Sequence, residues 1–343
     1  MDQIKERLSR INHFAQNGIP FLFFTDYELN EINVYPLSEI PDHIKYDING
    51  ISNQKNLSAF PDDYQWKITP IDKEIYRIGF SRVMREILYG NSFLLNLTYP
   101  SKIETDLSLE QIFNHSQARY KLLIKDQFTC FSPESFIKIE EGIISSFPMK
   151  GTIDASTENA EEQILNNPKE LAEHYTIVDL IRNDISQVAK KVSVDRFRYI
   201  DRIHTNGKEL LQVSSKITGV LPENYLQTLG DIIFKLLPAG SICGAPKLKT
   251  LEIINESEIS PRKYYTGVMG LFDGKSLDCG VMIRAISMDN DKMWYHSGGG
   301  MTHMSTLDEE YNELIDKIYV PIIRDDTDSR WRDKKSVLSS SEA

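Results

Sequence analysis

Cysteine is scarce in this chain of 343 residues: Cys130, Cys243 and Cys279 are its only three, and they stand far apart. That spacing excludes a disulfide framework or a thiolate metal site and reads as isolated thiols of a reducing cytoplasm. Long hydrophobic runs are missing too. No segment approaches the roughly 20 apolar residues that cross a bilayer, and the opening MDQIKERLSRINHF is too polar for a signal peptide. Positive charge is in deficit, with 39 Lys+Arg against 50 Asp+Glu and a net charge of −11. Nucleic acid and anionic membrane are therefore excluded as partners, because like charges repel at long range. An anionic ligand would need positive charge concentrated locally. There is no internal repeat. What remains is ordinary globular composition, 41% hydrophobic and 26% charged, with room for one large domain or two lobes.

Apolar periodicity predicts an N-terminal helix, strands at 20–25 and 32–37, a loop over 49–65 and a helix over 71–89. Strands then dominate to 147. A helix over 168–188 follows, with Pro at its first turn. Strands return at 192–203 and 209–221, helices at 223–236 and 247–257, strands over 264–297, and a last helix at 307–324. Strands in groups without βαβ alternation indicate an α+β sandwich rather than a doubly wound sheet. The tail 325–343 reads as polar and disordered.

Four segments could carry chemistry. In SSFPMKGT a strand ends and a Pro/Gly-bounded turn presents Lys150, either solvated surface or a nucleophile whose pKa burial or a nearby cation must depress. Upstream, the Ser-Pro-Glu step places Glu134 at the start of a strand, as an edge glutamate or a general acid. EHYTIVDLIRNDIS gathers Asp179, Arg182, Asn183 and Asp184 near a helix end, as solvated ion pairs or as an ordered network. LLPAGSICGAPKLKTLE brings glycines to the start of a helix, a tight connection or an anion site. Near the C-terminus, Arg284 lies in an apolar strand and requires an anionic partner. A Gly298–Gly300 run allows close backbone approach. Glu310, Glu313 and Lys317 share one helix face, solvated or suited to a hard cation such as Mg²⁺.

In order, SPESF, PMKGT, EHYTIVDLIRND, PAGSICGAPK, YTGVMG, IRAI and GGGMTHMSTLDEEYNE resemble the chorismate-utilising enzymes, over roughly 71–323. That family includes anthranilate synthase component I, aminodeoxychorismate synthase component I, and isochorismate and salicylate synthases. The resemblance implies a layered α/β/β/α sandwich with the active site in the cleft between two lobes. It also implies a catalytic domain at 71–324, with 1–70 as a short N-terminal region packed on it. Lys at the third position of PMKGT resembles the aminodeoxychorismate branch, where anthranilate synthases carry Ala. The water-activating lysine of isochorismate-type enzymes is replaced by Leu94.

The resemblance further implies a mechanism. Glu173 and Glu313, with Glu310 through water, would hold Mg²⁺ against the ring carboxylate. Lys150 would attack C2 as the C4 hydroxyl leaves, with Glu134 as general acid; ammonia would then add at C4 and expel the lysine. Gly151, Thr152, Gly244, Ala245, Gly298 and Gly300 match ring-lining positions. Tyr265 and Arg284 match those that grip the enolpyruvyl carboxylate, and Lys317 the lysine near the ring carboxylate. Gln212 stands where the family often has His, so it can orient a group but not titrate. Lys150, Lys247, Arg284, Lys317 and a glutamate-held Mg²⁺ are the expected cations of the cleft, and Mg²⁺, Arg284 and Lys317, together with partial burial, should push Lys150 toward its neutral form. No glutamine-hydrolysing segment is recognisable, so ammonia would come from solution or from a separate glutaminase subunit. The alternatives are anthranilate synthase component I and a non-catalytic chorismate-binding homologue.

Overall fold

The computed structural model describes residues 2–54, 60–61, 63–205 and 208–321. The last helix ends at Asp316, short of the expected 324. Residues 322–324 and the tail expected to be disordered lie outside the described residues, as do 55–59 and 62 of the expected loop. Among the described residues two nine-stranded sheets form, and their neighbouring strands pair antiparallel.

The first sheet runs in the order Met149–Asp154, Lys208–Val220, Ile143–Ser146, Ser135–Glu140, Leu277–Val281, Val268–Phe272, Phe21–Thr25, Ile32–Pro36, with Lys190–Thr205 paired to Lys208–Val220. The second runs Gly244–Ala245, Leu94–Thr105, Lys292–Met301, Ala285–Asp289, Phe128–Ser132, Tyr120–Ile124, Ile44–Ile48, Ile51–Ser52, with Trp66–Thr69 on Leu94–Thr105.

Strand alternation builds the layers. In Phe21–Thr25, Phe21 and Phe23 join the core shared with helices Asp2–Gln16, Pro168–Ser186 and Leu229–Leu236. Leu22 and Phe24 face the opposite way, into a core filled by Tyr120, Leu122 and Ile124 of the second sheet. Period-two side chains buried on both faces are what a central strand between two layers requires. The second sheet's far face packs Leu95, Leu97 and Tyr99 against helices Lys73–Leu88, Lys247–Ser257 and Leu307–Asp316. The result is the expected α/β/β/α sandwich. Residues before 71 are not an appendage, since their strands belong to both sheets. All three cysteines are buried and free.

Three helices went unread, Leu109–His115, Ala160–Asn166 and Gly240–Cys243, each too short for a periodic signal. The first begins with a capping box between Ser108 and Gln111, a local cue that was available. Gly244 closes the second sheet's edge with φ +123°, and a Cβ there would lie 1.8 Å from the Leu94 carbonyl oxygen. Gly244→Ala should therefore cost roughly 3 kcal/mol or more, seen as a lowered thermal unfolding midpoint.

Candidate active site

The two sheets meet where the edge strand Met149–Asp154 of the first approaches the glycine-rich end of Lys292–Met301 in the second. PMKGT is not a turn after a strand. Met149, Lys150, Thr152 and Ile153 are themselves paired with Lys208–Val220, and the register shifts between Lys150 and Thr152. Gly151, at φ +76°, supplies the bulge. The sequence signal for a turn was real, but it marks a kink that re-aims Lys150.

Lys150 Nζ donates to Glu173 Oε2 at 3.0 Å, with the two side chains only 19% and 7% exposed. Glu173 is set by helix Pro168–Ser186, whose first turn has Pro at its start and the Asn167 side chain accepting from the Glu170 N–H. Burial works to lower the Lys150 pKa, but Glu173, Glu170 and Glu134 outweigh it and raise the value. The nearest charges are carboxylates, and the expected shift toward neutral Lys150 rested on Mg²⁺ as well as on Arg284 and Lys317. Glu170 was missed in the sequence; it lies one turn before Glu173, with Oε2 3.5 Å from where a Gly151 Cβ would stand.

The Gly298–Gly300 run allows the second sheet to close on this lysine. A Cβ at Gly300 would come within 3.2 Å of Lys150 Nζ and 3.3 Å of Leu94. A Cβ on Gly299 would meet Glu313 Oε1 at 3.1 Å and Glu310 Oε2 at 3.3 Å. Helix Leu307–Asp316 turns Glu310 inward, 2% exposed, and Lys317 at its end donates to Glu313 Oε1 at 2.6 Å and to the Gly298 carbonyl at 2.9 Å.

Hard oxygen donors gathered over a side-chain-free glycine suit Mg²⁺ in chemistry and room. Among the described residues, however, no three His, Cys, Asp or Glu side chains already form a metal-holding group. Glu173 pairs with Lys150 instead, and Glu313 with Lys317.

Glu134 enters strand Ser135–Glu140 and accepts from Ser241 Oγ at 2.6 Å. Burial pushes its pKa up, while Ser241, Lys150 and Lys317 pull it down. Burial prevails, so this carboxyl holds its proton more tightly than an ordinary one and is placed to deliver it. Gln212 pairs with Thr152 across the strands, and its amide donates to Thr152 Oγ1 at 3.3 Å. Ala245, beside Gly244, pairs with Leu94.

Arg284 is not inside a strand. It links Leu277–Val281 to Ala285–Asp289 with φ +53°, and its guanidinium stands 4.3 Å from the Tyr319 ring centroid. Among the described residues no carboxylate lies within ion-pair distance of it. Tyr265, buried and stacked on His296 with centroids 5.1 Å apart, lies within electrostatic reach of both Arg284 and Glu134. Burial keeps its phenol protonated. His296 was missed in the sequence; its ring bonds Ser287 Oγ at 2.7 Å, and burial lowers its pKa to about 4, so it props Tyr265 as a neutral ring.

Lys247, expected as a cation of the cleft, already has an acidic partner. It pairs with Asp184 at 2.7 Å, which makes the Arg-Asn-Asp segment a network at its buried Asp184 and a solvated pair at Arg182–Asp179.

A lysine, an acid beside it, a guanidinium with no carboxylate partner among the described residues and clustered carboxylates in this sandwich define a chorismate-utilising enzyme. The chain belongs to the chorismate binding enzyme family, whose model matches residues 26–322. It is 48% identical over 316 residues to a PabA-like protein of Haemophilus influenzae, covering 92% of this chain and 96% of that one. Anthranilate synthase component 1 of Acetivibrio thermocellus is 34% identical over 54% of this chain and 38% of its own length. Aminodeoxychorismate synthase component 1 of Bacillus subtilis is 29% identical over 73% of this chain and 55% of its own length. Among solved structures, the menaquinone-specific isochorismate synthase MenF of Escherichia coli shares the fold, with a TM-score of 0.67 and 13% identity over 92% of this chain and 80% of that one. No helix among the described residues is long and apolar enough to cross a membrane.

Proposed function

We propose that this chorismate-utilising enzyme is an aminodeoxychorismate synthase component I, converting chorismate and ammonia to 4-amino-4-deoxychorismate for 4-aminobenzoate and folate synthesis in the cytoplasm. The observation that carries the reading is Lys150, a nucleophile-capable side chain at the meeting of the two sheets, 3.0 Å from Glu173 and within electrostatic reach of Glu134. Anthranilate synthase is the second reading, favoured by the 34% identity to that enzyme of Acetivibrio thermocellus. Lys150 argues against it, because direct attack by ammonia needs no amine there.

The bonds balance as follows. The neutral amine form of Lys150 bonds through Nζ to C2 as the C4–O bond breaks, and Glu134 gives its proton to the departing hydroxyl, which leaves as water. Ammonia then bonds to C4 as the C2–Nζ bond breaks, restoring the lysine. Protons shed by the two nitrogens return to Lys150 and Glu134. Mg²⁺ held by Glu173, Glu310 and Glu313 would polarise the ring carboxylate and offset the carboxylate charge around Lys150.

Arg284, lacking an acidic partner among the described residues, is free to fork onto the enolpyruvyl carboxylate, with Tyr265 beside it. Arg284→Lys keeps the charge but loses the fork, so KM for chorismate should rise about tenfold to a hundredfold with a smaller change in kcat, measured by initial rates.

The nitrogen source and the metal test the reading together. Ammonium with Mg²⁺ should support turnover, glutamine alone should not until a glutaminase is added, and EDTA should stop the reaction. Turnover that survives EDTA would remove Mg²⁺ from the account. Glutamine-driven turnover by this chain alone would remove the partner.

A further inference from the structure

The short helix Gly240–Cys243 is held from three sides, more firmly than a connection needs. The Asn96 amide donates to the Ser241 carbonyl at 2.8 Å. Arg262, 3% exposed and itself paired with Glu258 at 2.6 Å, donates to the Ile242 carbonyl at 3.1 Å. Gly240 lies so close to Asp184 that a Cβ would stand 2.9 Å from its Oδ2, and Asp184 is fixed by Lys247. All this rigidity converges on one hydroxyl, Ser241 Oγ, 2.6 Å from Glu134 Oε1.

We propose that Ser241 is a positioning residue for the acid: by donating to Oε1 of Glu134, it assigns the transferable proton to Oε2 and aims it into the cleft. The inference rests on Glu134 acting as the general acid of the proposed reaction. A serine hydroxyl has one proton to give. Spending it on Oε1 makes that oxygen the carbonyl-like acceptor, so a neutral Glu134 carries its proton on the other oxygen. Without the tie, the carboxyl can turn and present the wrong oxygen, and misplacement of a reacting group by about 1 Å can cost on the order of a hundredfold in rate.

Glu134 is also faced by Lys150 from the edge strand Met149–Asp154, by Lys317 from the end of the last helix, and by Tyr265. Asp184 shares with it a small cavity of about 20 Å³. These groups remain when the serine is changed, so the serine's own effect can be read.

The test uses Ser241→Ala, Ser241→Cys and Ser241→Thr in the full chain, with chorismate, Mg²⁺ and ammonium. Alanine, and cysteine as a near-isosteric weak donor, should lower kcat about tenfold to a hundredfold with little change in chorismate KM; threonine should restore it. The pH profile gives a second readout. A donor to the carboxylate favours the charged form, so its loss raises the Glu134 pKa. An acid works while protonated, so the alkaline limb of kcat should move to higher pH in the alanine and cysteine variants and return in threonine. Wild-type kcat and an unmoved limb in Ser241→Cys, with Glu134→Gln impaired, would overturn the role of Ser241 alone. An unimpaired Glu134→Gln would overturn the reading on which it rests.

Discussion

Replacing Lys150 by alanine should abolish formation of 4-amino-4-deoxychorismate, lowering kcat/KM by roughly 10³-fold or more, as loss of a covalent nucleophile does. Alanine alone confounds two effects. Glu173 is 5% exposed and bonded to Lys150, so removing the lysine leaves a buried carboxylate without this partner. Lys150→Arg separates them. A guanidinium keeps the charge and can still pair with Glu173, but it stays protonated and cannot attack carbon. The arginine variant should therefore unfold near the wild-type temperature and remain inactive. Substantial activity in either variant would show that Lys150 holds the site together without entering the reaction.

Glu134→Gln should lower kcat by about 10²- to 10⁴-fold, the usual worth of a positioned acid or base. The amide is nearly isosteric and can still accept from Ser241, so packing and chorismate KM should change little. Because burial raises the Glu134 pKa while Ser241, Lys150 and Lys317 lower it, the acid's protonated form should persist above the ordinary carboxylate range. Wild-type kcat should accordingly fall as pH rises through that pKa, and the glutamine variant should lose this limb. A wild-type rate with an unchanged pH profile would remove Glu134 from the chemistry.

Much of this site was legible because its residues lie on regular elements. Glu310, Glu313 and Lys317 share a face by helical spacing alone, and the structure puts all three at the Gly298–Gly299 backbone. The helix carrying Glu173 announced itself by Pro168, and the structure adds the Asn167 cap. The misreadings fall where local conformation departs from the pattern. Gly151 looked like part of a turn because bulges and turns draw on the same left-handed glycine. Arg284 looked like a strand residue because its neighbours are apolar, but its own φ is +53°.

Charge was the least legible property. Among the protein's own groups, the carboxylates Glu173, Glu170 and Glu134 dominate the field at Lys150, and Lys247 pairs with Asp184. Ser241 and Asn96 gave no signal of their own. Their importance depends on a hydrogen bond from the Gly240–Cys243 turn to Glu134 and another from Asn96 to that turn, both between residues far apart in the chain.

The most direct measurement is the identity of the product. The chain, chorismate, Mg²⁺ and ammonium are incubated together, and the products are separated and weighed by mass spectrometry. The account predicts 4-amino-4-deoxychorismate with its enolpyruvyl group retained. Anthranilate as the main product, visible by its fluorescence and accompanied by pyruvate, would contradict it.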